Sequence, residues 1–282
     1  GTQLNFVTKR AGNRFSGDFH LYVEDEMYQL EHKNLDQSYL DAGYGDARIT
    51  RLYQYGVNFG GPVVKDKLWF MGSWAIQDIH SLTYQQNEDD TWLLAGYGKL
   101  DFQVGNTSGG FHMSYDNKKK WGRQSSWVDG QDQETTWDQV GPSSVYSGHI
   151  QQIMGNLMLN AKFAYTDGGF TLDPKTNDLN DRYVTNNTPG PEYLLSYEPI
   201  FYMSGSNTFY TTNRNTINIG LDGNYFLEGA LGGDHEIKFG VDYYTASTTS
   251  LSLYPNKRAL VDYNGDAIYD ELWFLRDYTI DL

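Results

Sequence analysis

The chain has 282 residues, a formal net charge of −15 and 16% aromatic residues, at a mean hydropathy of −0.60. A surface this acidic repels a phosphate backbone, which argues against a nucleic-acid partner. The chain contains no cysteine, which excludes disulfides and thiolate zinc sites, and it has no run of about 18 apolar residues that could form a transmembrane helix. Many aromatics in a polar chain must alternate finely with polar residues, as they do in β-strands.

Period-two alternation predicts about ten strands and no helix. A polar residue stands between successive apolar ones, so each strand has one wet and one dry face. Weaker strands are predicted at 143–153 and near Leu272. In chain order the dry faces contain Phe15, Phe19, Leu21 and Val23; Tyr53, Tyr55, Val57 and Phe59; Leu68, Phe70, Trp74 and Ile76; Trp92, Leu94, Leu100 and Phe102; Phe111, Met113 and Tyr115; Leu157, Leu159, Phe163 and Tyr165; Ile217, Ile219, Leu221 and Tyr225; Ile237, Phe239, Val241 and Tyr243.

The connections between these strands alternate between short and long. Short turns such as GGPVVKDK and VGNTSG separate long loops near 25–50, 78–91, 117–142, 167–207 and 246–271. In an up-and-down antiparallel sheet, this alternation places every long loop at one end. Outer-membrane barrels have this asymmetry, with short periplasmic turns and long extracellular loops.

The predicted fold is therefore all-β, an antiparallel up-and-down transmembrane β-barrel. In NFGGPVVKDKLWFMGSW (58–74), the glycines and charges form a periplasmic turn and a strand follows. We expect Phe70 to face outward and Trp69 to face the lumen. The residues predicted to face lipid are Phe70, Trp74, Leu100, Phe102, Phe163 and Phe239.

Four stretches resemble one family. GTQLNFVTKRAGNRFSGDFHLYVEDE resembles the end of the plug and the first strand of TonB-dependent outer-membrane transporters. NFGGPVVKDKLWFMGSW resembles a turn and strand of their Oar-like branch, and 134–170 and 217–244 resemble later strands. The resemblance implies that residues 1–13 end a plug, and that 14–282 form about the first ten strands of a roughly 22-stranded barrel.

The family pattern is present only in part. A TonB box, most of a plug and a barrel-closing strand are missing, and GTQLNFVTKR has no apolar signal region. An open half-barrel leaves backbone groups unpaired in lipid, at several kcal/mol each. We therefore expect that the source protein is longer, or that another polypeptide closes the sheet.

One region combines basic and aromatic residues. Lys118, Lys119 and Lys120 are followed by the candidate substrate contacts, which are Trp121, Arg123, Trp127 and Trp137. Aromatic faces bind sugars and cations by stacking. The predicted roles are contact with a substrate or with a lipid headgroup, and the alternative is loop packing.

A second region has the spacing of a calcium loop. Asp262, Asn264 and Asp266, with Asp270, place oxygen ligands at alternating positions, as a hard cation prefers. However, Ala267 stands where such loops require glycine, and Trp273 stands where a bidentate Glu belongs. Calcium is therefore a candidate cofactor, and a solvated acidic turn is the alternative.

No motif indicates an enzyme: the six histidines are scattered, and neither G-x-S-x-G nor a P-loop occurs. The resemblance implies a bacterial outer-membrane protein that takes up a scarce nutrient, with TonB acting through a plug. Its expected partners are outer-membrane lipid, lipopolysaccharide, the TonB complex and a lipoprotein or surface-layer protein. The alternatives are a surface scaffold that binds another protein through its long loops and a soluble, glycan-binding β-sandwich.

Overall fold

The computed structural model describes residues 10–30, 37–41, 44–124, 130–175, 182–185, 202–205, 207–230, 232–254, 257–262 and 271–282. It describes the backbone alone for residues 38, 39, 130, 131, 182–185, 202–204, 230 and 262. Helical structure in these ranges is limited to Gln37–Asp41 and two 3-10 turns, Glu26–Tyr28 and Gln133–Thr135. No helix in the described ranges is long and apolar enough to cross a membrane.

Ten strands form the main sheet, and each pairs antiparallel with the next one in the sheet. Their order follows the chain, which is the up-and-down topology predicted from the alternation. The strands are β1 (Ser16–Asp25), β2 (Arg48–Val64), β3 (Leu68–Leu82), β4 (Asp90–Val104), β5 (Thr107–Arg123), β7 (Trp137–Met154), β8 (Leu157–Pro174), β11 (Phe209–Ala230), β12 (Gly233–Leu253) and β15 (Tyr278–Asp281).

Five short strands pair in a second sheet that the sequence did not predict. It is built from three of the long connections, and two of its four pairings are parallel. In sheet order its strands are β14 (Glu271–Phe274), β13 (Arg258–Asp262), β9 (Arg182–Thr185), β10 (Tyr202–Ser204) and β6 (Gly130–Gln131).

The strands of the main sheet reach further than predicted. β3 continues to Leu82, β5 to Arg123, β8 to Pro174 and β12 to Leu253, so the first residues of four predicted loops are strand. The alternation of short and long connections remains. The short turns lie at 65–67, 105–106, 155–156 and 231–232, and the long connections lie at 26–47, 83–89, 124–136, 175–208 and 254–277.

Burial on the two faces of the main sheet is the inverse of that in a water-soluble protein. On one face, the apolar face, large side chains are exposed, and Phe19 is 68% exposed. On the opposite, polar face, Asp101, Gln139 and Thr212 are buried. Soluble proteins cover their apolar side chains instead. This sheet is therefore suited to an apolar environment on one side, as the wall of a membrane barrel is.

The register aligns apolar side chains into continuous rows. One row joins Phe70, Leu100, Phe111, Phe163 and Ile219 on successive strands, with Gly148 between Phe111 and Phe163. All six residues predicted to face lipid lie on the apolar face, and Trp69 lies on the polar face. Contact with lipid itself stays a prediction.

The apolar band changes position along the strands. On β1 it runs from Phe15 to Val23, and on β12 it runs from Ile237 to Tyr243. The register carries Phe19, the centre of the first band, across to Ser247 of β12. The centre of the second band is Gly240, seven residues closer to the short turn.

The pair Gly60-Gly61 in β2 makes room on both faces of the sheet. A side chain at Gly61 would collide with the ring of Phe15, which stacks on Phe59 with centroids 6.0 Å apart. A Cβ at Gly60 would lie 2.8 Å from the carbonyl oxygen of Phe70 and 3.2 Å from Cβ of Ala11. The glycines that form the start of the predicted turn are therefore strand residues, required by close neighbours.

Candidate functional site

The segment that precedes β1 lies on the polar face, above the short turn between β2 and β3. Cζ of Arg10 lies 5.0 Å from the ring centre of Trp69, and Nε lies 4.0 Å from Oδ2 of Asp101. Oδ1 of Asn13 accepts hydrogen bonds from Trp69 Nε1 at 2.8 Å and from the backbone N–H of Asp66 at 2.9 Å. These contacts hold residues 10–13 against the wall. Their assignment to a plug stays a prediction.

A charged row crosses the polar face from this segment to β12. Gly220 lies between Lys162 and Asp242 and has no side chain. Lys162 therefore reaches across it and places Nζ 3.1 Å from Oδ1 of Asp242. Lys99 pairs with Asp101 at 3.3 Å. The register aligns Trp69, Asp101, Gly110, His149, Lys162, Gly220 and Asp242.

The predicted substrate contacts do not form one group. Trp121 is exposed on the apolar-face side of β5, whereas Arg123 lies on the polar-face side after a bulge at Gly122. The indole N–H of Trp137 donates to the carbonyl of Thr208 at 2.6 Å, which is a packing role. Trp127 lies outside the described residues. Trp121 and Arg123, two positions apart, face opposite ways because the bulge at Gly122 shifts the register, and Trp137, the register partner of Arg123, is engaged by a loop. Contact of any of these residues with a substrate stays a prediction.

Arg123 instead joins residues from β8 and β11. Its Cζ lies 5.9 Å from the ring centre of Phe170, and Cζ of Arg214 lies 5.8 Å from the same ring. The ring of Tyr210 is 5.6 Å from that of Phe170. We call Lys118, Arg123, Phe170, Tyr210 and Arg214 the polar-face basic patch.

Buried hydroxyls lie beside the polar-face basic patch. The hydroxyl of Tyr210 donates to Ser250 Oγ at 3.3 Å, and Thr212 Oγ1 lies 2.9 Å from that same oxygen. Gln139 accepts a hydrogen bond from Arg123, which fixes that guanidinium. The patch lies beyond the apolar band on its strands, on the side of the long connections.

No sequence motif indicated Arg214, Phe170 or Tyr210 as partners of Arg123. They stand about 50 to 90 residues further along the chain, and only the register of β5, β7, β8 and β11 brings them together. One sequence feature could have indicated Phe170 and Tyr210, because both lie beyond the alternating apolar runs of their strands. Aromatic residues at those positions are not needed for an apolar, lipid-facing surface, so another role is expected for them.

The candidate calcium loop remains a prediction. Asp262 ends β13, and Asn264, Asp266 and Asp270 lie outside the described residues. Within the described part of the chain, no group of three His, Asp or Glu residues is arranged to hold a metal ion.

Cations and aromatic rings mark the border of the apolar face toward the long connections. Cζ of Arg51 lies 5.4 Å from the ring centre of Tyr53, and Nζ of Lys119 lies 5.3 Å from that of Trp92. Tyr and Trp rings are enriched where a membrane meets water. These pairs therefore occupy the expected level of an aromatic girdle.

Comparison with known proteins supports the fold. Neither a protein-family model nor a curated protein matches the chain. Among solved structures, the outer membrane transporter YddB from Escherichia coli matches with a TM-score of 0.60 at 8% identity. The match covers 97% of this chain and 36% of that transporter's chain. The chain thus has the fold of part of an outer-membrane barrel transporter.

Proposed function

We propose that this chain is part of the barrel wall of an outer-membrane transporter that takes up a scarce nutrient, with energy supplied through TonB. The observation that carries the proposal is the inverted burial of the main sheet, with exposed apolar side chains on one face and buried polar ones on the other. Lipid can cover the first face and a water-filled lumen can contact the second. The fold likeness to an outer membrane transporter adds support.

The expected partners follow from this arrangement. Outer-membrane lipid and lipopolysaccharide would cover the apolar face, with Arg51 and Lys119 at the headgroup level. The segment at residues 10–13 would lead to a plug on which the TonB complex acts. That step, and membership of the Oar-like branch, rest on the sequence resemblance.

Cysteine labelling tests the orientation, because the chain has no cysteine of its own. We expect Glu88→Cys, in a long connection, to react with a membrane-impermeant maleimide on intact cells. Lys65→Cys, in a short turn, should react only after the outer membrane is opened. Equal labelling of both on intact cells, or recovery of the protein in the soluble fraction, contradicts the proposed location.

Uptake is tested by comparing nutrient-limited cultures of the parent, of a strain lacking this gene and of a strain lacking TonB. We expect at least one solute to disappear from the medium of the parent and to persist in both mutant cultures. Equal depletion of every solute by all three strains contradicts transport.

A scaffold is the second candidate function, and the second sheet favours it. Its edge strand β14 exposes three apolar residues, and Phe274 is 79% exposed. Such an edge suits the binding of a lipoprotein or surface-layer protein. Replacing Leu272, Trp273 and Phe274 by Ser should abolish that binding without affecting uptake, and loss of uptake alone contradicts the scaffold.

A further inference from the structure

We propose that the polar-face basic patch binds a solute that carries two or more negative oxyanion groups, phosphate or carboxylate. The inference rests on the proposed function, because it takes this face to line the transport path. It names the chemical class of the solute.

The first reason is unpaired positive charge. Within the described part of the chain, no carboxylate lies within ion-pair distance of Lys118, Arg123 or Arg214. The ammonium of Lys118 interacts electrostatically with Lys120 and Arg123, which carry the same charge, and with Asp89, which carries the opposite charge. Like charges held together are unfavourable unless an anion lies between them. In a chain of net charge −15, such a cluster is unusual.

The neighbouring carboxylates do not neutralise the patch. Asp89 is engaged by Lys120, with Nζ 2.5 Å from Oδ1. Asp116 lies on the polar face two residues before Lys118 and forms no ion pair with a described residue. Lys120 and Asp89 cancel each other, and the three cations Lys118, Arg123 and Arg214 outnumber the one remaining carboxylate, Asp116, so the patch keeps net positive charge.

The second reason is positioning. Both guanidiniums lie within 6 Å of one ring, that of Phe170, which restricts where they point. Arg123 is further held by Gln139. A guanidinium has five N–H donors in a planar fork, which matches the two oxygens of a carboxylate or phosphate. Two oriented forks and an ammonium favour a multiply charged anion over a singly charged one.

The third reason is access. Lys118 and Arg214 are exposed, whereas Thr212 and Ser250 on the same face are buried. The charged ends of Lys118 and Arg214 are therefore open to a solute. A flat ring of the solute could stack on Tyr210, which lies beside Phe170.

The test uses the full protein in detergent at about 0.05 M salt, where screening is weak. Titration calorimetry measures binding of two probes, inorganic pyrophosphate and citrate, which separate phosphate from carboxylate recognition. We expect saturable binding of at least one probe. Arg214→Gln and Arg123→Gln should each weaken it about 10- to 100-fold, as expected for loss of a charged hydrogen-bonding group.

Lys162→Gln is the matched control, because it removes the same charge from a polar-face residue that is paired with Asp242 and lies eight residues from Phe170 along β8. It should change the affinity by less than about threefold, and Arg214→Lys should give an intermediate loss because it keeps charge without the fork. No saturable binding of either probe overturns the inference, as does equal weakening by Lys162→Gln. Binding in detergent requires neither TonB nor a membrane, so these outcomes are independent of the cysteine-labelling and uptake results.

Discussion

The indole of Trp69 donates a 2.8 Å hydrogen bond to Oδ1 of Asn13, a residue 56 positions earlier. Trp69 is only 8% exposed, and the same Asn13 oxygen also accepts the N–H of Asp66. Asp66 has a positive φ of 60°, which a non-glycine residue rarely adopts. One amide side chain thus joins the segment before β1 to an indole and to a strained turn.

Asn13→Ala removes this acceptor and leaves two N–H groups without it. We expect a loss of about 1–3 kcal/mol in the free energy of unfolding, seen as a lower Tm by circular dichroism in detergent. Asn13→Asp keeps the acceptor but removes the amide donor to Oδ1 of Asp66 and sets two carboxylates against each other, so it should remain less stable than the parent even at high salt. An unchanged Tm for Asn13→Ala means that the segment is not anchored here.

Gly61→Ala should destabilise the sheet by about 1–3 kcal/mol, because the new methyl group collides with the ring of Phe15. Adding Phe15→Ala should restore much of this loss, which denaturant unfolding of the single and double variants measures. Gly60→Ala should not be rescued by Phe15→Ala, because its methyl group meets the backbone carbonyl of Phe70.

Gly98→Ala is the control for that series, since nothing lies within 4 Å of its added Cβ. We expect its stability to match that of the parent protein within about 0.5 kcal/mol. Equal losses for Gly98→Ala and Gly61→Ala indicate a general strand effect rather than a collision with Phe15.

Phe163→Arg and Lys162→Arg test which face meets lipid, because the two residues are adjacent on β8 and face opposite ways. Arg on the lipid side near the bilayer centre costs about 2–4 kcal/mol. We expect Phe163→Arg to lower the urea concentration at the midpoint of folding into lipid vesicles, and Lys162→Arg to leave that midpoint unchanged. The opposite result would mean that the lipid-facing side of the sheet has been assigned wrongly.

Asp277 should titrate below the usual range of its side chain. The N–H of Tyr254 donates to its carboxylate at 2.9 Å and Nζ of Lys257 lies 3.2 Å away; in that order they lower the pKa of Asp277. Because the folded pKa is depressed, the loop contact persists at neutral pH and is lost as pH falls through that pKa.

Lys257→Ala should raise the pKa of Asp277 only in part, since the hydrogen bond from the backbone of Tyr254, the largest single cause, remains. Carboxyl carbon chemical shifts in selectively labelled protein follow this titration. An Asp277 pKa at its ordinary value in the parent protein contradicts the contact.

The strands at 15–23 and 237–243 could be predicted from sequence because an apolar and an aqueous environment on the two faces require alternating apolar and polar side chains. Beyond the apolar band both faces contact water, so the pattern ends while the backbone pairing continues, as β5 does to Arg123. That is why the strand ends were predicted too short.

Contacts between segments far apart in the chain also could not be predicted from the sequence. The second sheet joins segments of two to five residues, too short for any periodicity. Arg123 was identified from its basic neighbours, but Arg214 joins it only because the register of four strands places both beside Phe170. A one-residue change in any of those registers would turn Arg214 to the opposite face.

The shift of the apolar band also fixes how the strands lean. Seven residues over the eight steps from β1 to β12, at about 3.4 Å per residue and about 4.8 Å per strand, correspond to a tilt of roughly 30°. Outer-membrane strands commonly tilt by about 35–45°. Each row of hydrogen-bonded neighbours is therefore inclined relative to the apolar band. The charged row starts at Trp69, at the lower edge of the band, and reaches Asp242, near its upper edge. In six strand-to-strand steps it therefore passes from one edge of the apolar band to the other, on the opposite face of the sheet.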